Sequence, residues 1–262
     1  VEQIDMPSDL PFGAELVPSP NKRHSETVIF VPHFGGTKRS VWRHVSLMNE
    51  LGYDVVRFNL VFNEPKAFMQ LPIVWRSFGR GCHGRCCPLI QFGARHAWAN
   101  QITQLLNSIP GPKIVYSFSM PSSGALAAIA HREAKDIKAF ICDGGPFLQL
   151  ALCTWNLFTF EYEIKSCILR AIACAIAFLM FGPGLARELR ALFKHLPANF
   201  PVLSIRGLAD PLVDPSAITK VFAKQNRLKL TVVNLPQGRH LDGLKNFTTE
   251  YRQQVTHFLA GL

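Results

Sequence analysis

No run in this chain is apolar for long enough to span a bilayer with ease. The best candidate, CILRAIACAIAFLMFG from Cys167, is only about sixteen residues long, contains Arg170, and falls between two strand-like segments. Threading a membrane there would pull a sheet apart, so the segment reads as a helix laid over a pocket. Internal repeats and low-complexity tracts are also missing, which sets aside repeat architectures. GxGxxG is absent, which argues against a dinucleotide or phosphate loop. Acidic residues are scarce, 18 against 28 basic ones, leaving a formal charge of +10. That balance suits an anionic surface, a nucleic acid or an acidic substrate. The basic concentrations at Arg76–Arg85 and Arg187–Lys194 lack the aromatics of a nucleic-acid module, so no nucleic-acid partner is expected. Arg76–Arg85 reads as a solvated charged face, with peripheral contact to an anionic membrane surface as the alternative.

Seven cysteines, an odd number, do not form a disulfide framework. Cys142, Cys153, Cys167 and Cys174 sit among apolar neighbours and read as small buried hydrophobes. Cys82, His83, Cys86 and Cys87 cluster in GCHGRCC, and thiolates with imidazole are good zinc ligands. No second ligand pair stands at a finger-like distance, so a structural or redox-labile loop is expected there and no metal. The chain begins at Val1, consistent with removal of an upstream segment, and leaves the compartment open.

What the sequence does contain is a rhythm. Nearly half of its 262 residues are apolar, enough for a large core. Residues 1–27, rich in proline and serine, read as an arm or edge hairpin. Then ETVIFVP is a short β-branched run, and Val41–Leu51 carries apolar residues at helical spacing until Gly52 stops it. DVVRFNLVF, KIVYSFS, DIKAFICDGG, FPVLSIRG and LKLTVVNL repeat the strand pattern. Helical segments alternate with them, including HAWANQITQLLNSI, SSGALAAIAHRE, Pro215–Gln225 and Asn246–Leu259. Six strands, each apolar almost throughout, predict an α/β fold with a mostly parallel sheet flanked by helices. One domain over 1–262 is expected, with two long interruptions at 63–92 and 147–199, the latter a helical cap inserted in the domain.

Ligands of an open parallel sheet gather beyond the carboxyl ends of its strands. Ser119 lies there, in KIVYSFSMPSSG, on a sharp strand-to-helix turn that needs small neighbours two positions to either side. Asp210 follows the fifth strand in GLADPLVD, and His240 follows the last in LPQGRHLDGL. Serine needs an imidazole to take its proton, and the imidazole needs a carboxylate to fix its tautomer. Asp214 and Asp143 are alternative carboxylates, and Ser119 could be an ordinary helix cap, a place that Ser122 or Ser123 could equally fill.

This order and spacing resemble the α/β-hydrolase family from about Glu26 to the C-terminus. Ser117-Phe118-Ser119-Met120-Pro121 departs from its Gly-x-Ser-x-Gly elbow at both glycines, and VPHFGGTK varies its His-Gly-x-Gly-Gly loop. The resemblance implies Ser119 as nucleophile, His240 as base, Asp210 as acid, and backbone NH groups of Phe34 and Met120 as the oxyanion hole. It implies hydrolysis of an ester-like bond through an acyl-enzyme, with no metal or organic cofactor. An apolar cap favours an apolar acyl chain or lipid-like ester, contacted by His33, Trp155, Phe158, Phe178 and Phe181, with Phe160 also at hand. Thioester or amide cleavage, and a non-catalytic binding or scaffold role, remain the alternatives.

Overall fold

Thr27–Val31 is buried at all five positions, which a strand achieves only in a sheet covered on both faces. A computed structural model places it there. The structure describes residues 9–61, 73–75, 90–92, 94–181, 184–223 and 225–262. The strands of the main sheet are β1 (Glu15–Val17), β2 (Thr27–Val31), β3 (Asp54–Arg57), β6 (Lys113–Phe118), β7 (Ile137–Asp143), β8 (Phe200–Gly207) and β9 (Leu228–Leu235). Their order is β1-β3-β2-β6-β7-β8-β9, and all pairings are parallel except that of β1 with β3. The mostly parallel α/β sheet expected from sequence is therefore present, with a seventh, antiparallel strand at one edge. A separate antiparallel pair joins β4 (Ile73–Trp75) to β5 (Ile90–Phe92).

Helices cover both faces. On one side α1 (Trp42–Leu51), α8 (Gly243–Asn246) and α9 (Thr248–Ala260) pack Val45, Met48, Leu244, Val255 and Phe258 against the sheet. On the other, α2 (Ala94–Ser108), α3 (Ser122–Ala130), α6 (Leu185–Phe193) and α7 (Pro215–Phe222) supply Trp98, Ile102, Leu126, Leu189 and Val221. Side chains of this size contribute roughly 1.5–3 kcal/mol each when fully buried. Between β7 and β8 lie α4 (Leu150–Phe160) and α5 (Cys167–Phe181), followed by α6. Among the described residues no helix is long and apolar enough to cross a membrane.

Several boundaries differ from the sequence reading. β3 stops at Arg57, and α7 stops at Phe222. The C-terminal helix is interrupted at Phe247, whose φ of -125° and ψ of 43° leave helical geometry. Cys142 and Cys153 are buried as expected, but Cys167 is exposed and Cys174 only half-buried, because α5 turns one face outward. Cys82, His83, Cys86, Cys87 and Arg76–Arg85 lie outside the described residues.

Candidate active site

The chain runs from β2 to β3 on one side, then returns to β6 on the other, so the carboxyl ends of β2 and β6 flank the point where strand order reverses. Phe34 follows β2 there and Ser119 follows β6. Ser119 has φ 53°, the left-handed region that a residue with a Cβ rarely adopts. Its amide donates to the Asp143 carbonyl at 2.8 Å, and its own carbonyl accepts from the Ser122 amide at 3.1 Å. Gly145 allows this packing: a Cβ there would lie 2.2 Å from the Ser119 carbonyl oxygen.

Both departures from the glycine elbow have local partners. Ser117 is wholly buried and its hydroxyl donates to that of Ser122 at 2.9 Å. Pro121 sits at the N-cap of α3 with φ -58° and ψ -17°, where the missing amide is no loss.

His240 and Asp210 arrive on adjacent loops, after β9 and β8. Those loops are in backbone contact: the Ala209 amide donates to the Gly238 carbonyl at 3.0 Å, and a Cβ on Gly207 would meet that same oxygen at 2.4 Å. One Asp210 oxygen accepts from the amides of Leu212 and Val213 at 2.8 and 3.0 Å. The other lies 2.6 Å from His240 Nδ1, and His240 Nε2 lies 3.0 Å from Ser119 Oγ. A carboxylate accepts, so Nδ1 carries the proton and Nε2 presents its lone pair to the serine hydroxyl.

The alternative carboxylates are engaged elsewhere. Asp214 caps α7 by accepting from the Ser216 amide at 2.8 Å. Asp143 is buried and accepts from the Tyr251 hydroxyl at 2.7 Å; burial pushes its carboxyl up to about 6. Tyr251 also contacts the Tyr116 hydroxyl and stands 3.2 Å from His44 Nε2. Burial holds that imidazole down at about 3, so it is neutral.

A cavity of about 430 Å³ opens over Ser119 and His240. Of the residues expected to line it, His33, Phe34, Met120, Phe158 and Phe181 do so. Trp155 and Phe178 do not line it. Trp155 lies under the Arg170 guanidinium, 4.5 Å from its ring centroid, while Phe178 and Phe160 face outward. Sequence reading missed Leu157, Leu212, Val213 and Leu241, which border the cavity between α4 and the two loops. Phe181 meets Phe34 edge-on with centroids 5.8 Å apart, so the cavity's apolar wall joins α5 to the loop after β2.

That loop is a tight turn in which the Gly36 amide donates to the His33 carbonyl at 2.8 Å. His33 Nδ1 donates to the Phe34 carbonyl at 2.9 Å, and burial lowers its pKa. Among the described residues no group of three or more His, Cys, Asp or Glu is arranged to hold a metal ion.

No protein-family model and no curated relative matches the chain in sequence. Solved structures match its shape. The esterase Pf2001 of Pyrococcus furiosus has a TM-score of 0.56 at 17% identity, over 99% of this chain and 95% of its own. MenH from S. aureus has a TM-score of 0.56 at 12% identity, over 95% and 98%. A bromoperoxidase from Bacillus anthracis reaches 0.57 at 15% identity, over 94% of each chain. At such identities the likeness is one of architecture. The chain has the α/β-hydrolase fold, as the sequence resemblance implied.

Proposed function

We propose that the chain is a serine hydrolase that cleaves carboxylic esters with apolar acyl chains through an acyl-enzyme on Ser119. The observation that carries this is the continuous link from Asp210 through His240 to Ser119, at 2.6 and 3.0 Å, at the floor of a largely apolar cavity. His240 takes the hydroxyl proton as Ser119 attacks the carbonyl, then returns it to the leaving alkoxide. Water, activated by the same imidazole, releases the acid. The backbone amides of Phe34 and Met120, both at the cavity, stabilise the tetrahedral oxyanion. The helices between residues 147 and 199 act as a cap, with Phe158 and Phe181 packing along the acyl chain.

A fluorophosphonate probe tests the chemistry: it labels the wild type and leaves Ser119→Ala unlabelled. An unlabelled wild type would favour a non-catalytic binding role. A series of p-nitrophenyl esters tests the substrate class, with kcat/KM rising toward medium and long acyl chains. Preference for acetate would overturn the apolar-acyl reading.

A further inference from the structure

Apart from Arg170, α5 is apolar around its whole circumference, a composition that soluble proteins normally bury. Here only one side is covered. Arg170, Ala173, Cys174, Ala177 and Phe181 recur at helical spacing and face the protein, the last two reaching the cavity. Ile168, Leu169, Ile172, Ile176 and Leu179 face outward, with Ile168 69% and Leu179 62% exposed. Leu152 and Phe160 of α4, which packs against α5, extend the apolar surface.

The one charge on α5 is turned inward. Arg170 donates to the Thr159 hydroxyl at 2.7 Å and lies over Trp155. The outward stripe therefore offers neither charge nor hydrogen-bonding group.

We propose that this face seats in the interfacial region of an anionic lipid membrane. A protein partner of ordinary kind would be expected to exchange about one hydrogen bond per 100–200 Å² of interface, and this stripe has nothing to exchange. Acyl chains ask for none. The charge agrees: the chain carries +10 and α5 contains no acidic residue, the exposed Glu161 and Glu163 just before it being partly offset by exposed Lys165. A cationic protein is drawn to an anionic surface and its apolar face then inserts. Resting on the hydrolase reading, the same placement would bring ester substrate to the cavity straight from the lipid phase, since α4 and α5 form both its wall and this surface.

Flotation of the full chain with vesicles tests the inference, using Ser119→Ala so that turnover plays no part. Phosphatidylcholine vesicles containing phosphatidylserine should carry the protein upward, and pure phosphatidylcholine should carry much less. The double variant Ile168→Glu/Leu179→Glu should reduce flotation by about tenfold or more, with an unchanged melting curve as its control. Absence of flotation, or equal flotation of the double variant, would overturn the proposal. So would a concentration-dependent dimer that the double variant dissolves while vesicles bind neither form, because a second copy would then cover the stripe. Fluorophosphonate labelling is scored separately, so failure of either idea leaves the other measurable.

Discussion

The amide of Ser119 donates to the carbonyl of Asp143, 2.8 Å away, and this bond fastens the strained turn after β6 to the end of the neighbouring strand. The turn has almost no room behind it, because Gly145 passes directly against the Ser119 carbonyl.

Gly145→Ala should therefore damage both stability and chemistry. Its Cβ would come 2.2 Å from a backbone oxygen that cannot swing away as a side chain can. Overpacking of this kind costs roughly 1–3 kcal/mol. Urea unfolding should register the loss, and fluorophosphonate labelling of Ser119 should slow sharply. Unchanged labelling would show that the turn tolerates displacement.

Asp210→Asn should keep the fold and lose the reaction. The two amides of Leu212 and Val213 hold one Asp210 oxygen, so the asparagine oxygen takes that place and its NH2 faces His240 Nδ1. Nδ1 must then accept, Nε2 carries the proton, and Ser119 has no base. A fall in kcat of about 10³–10⁴-fold is expected, with little change in melting temperature.

Asp143→Asn should stabilise the protein in a pH-dependent way. The buried carboxyl is raised to about 6 from about 4 in the unfolded chain, so the folded state binds the extra proton between those values. Wild-type stability conferred by that proton is complete below about pH 4 and is lost as pH rises through about 6. The asparagine still accepts from Tyr251 and carries no charge to bury. Its advantage in urea unfolding should be near zero at acid pH, grow across this window, and level off on the order of 2–3 kcal/mol at neutral pH. A difference that ignores pH would place the titration elsewhere.

Ala177→Leu should narrow the acyl side. Ala177 is almost wholly buried where α5 meets the cavity, and the added carbons occupy space that a long chain needs. With p-nitrophenyl esters, kcat/KM should drop about tenfold or more for long acyl groups and hold for acetate. An equal drop for all esters would move the acyl site away from α5.

Much of the sheet was legible because its strands are buried twice over, and VIFV, IVYSF, AFIC and VLSI need no alternation to be recognised. Ser119, Asp210 and His240 stood out by following such strands. β1 did not, since three residues pairing with Val55–Arg57 some forty positions away leave no local pattern. Trp155 and Phe178 were misplaced for a different reason: α4 and α5 are apolar on nearly all sides, so spacing holds no phase to say which face looks inward. The contact of His44 with Tyr251 joins residues 207 positions apart and was invisible for that reason. The glycine pair after Asp143 is the local sign of this site in the sequence: Gly144 takes a positive φ of 65°, and Gly145 lets the Ser119 backbone approach closely.

The inward turn of Arg170 has one more effect. By reaching Thr159 and stacking on Trp155, it cross-links the two helices that roof the cavity. They are coupled like two boards nailed to one batten, so neither can peel back alone without stranding a guanidinium. Displacing either helix alone to admit a bulky guest would break the contact of Arg170 with Thr159 and Trp155.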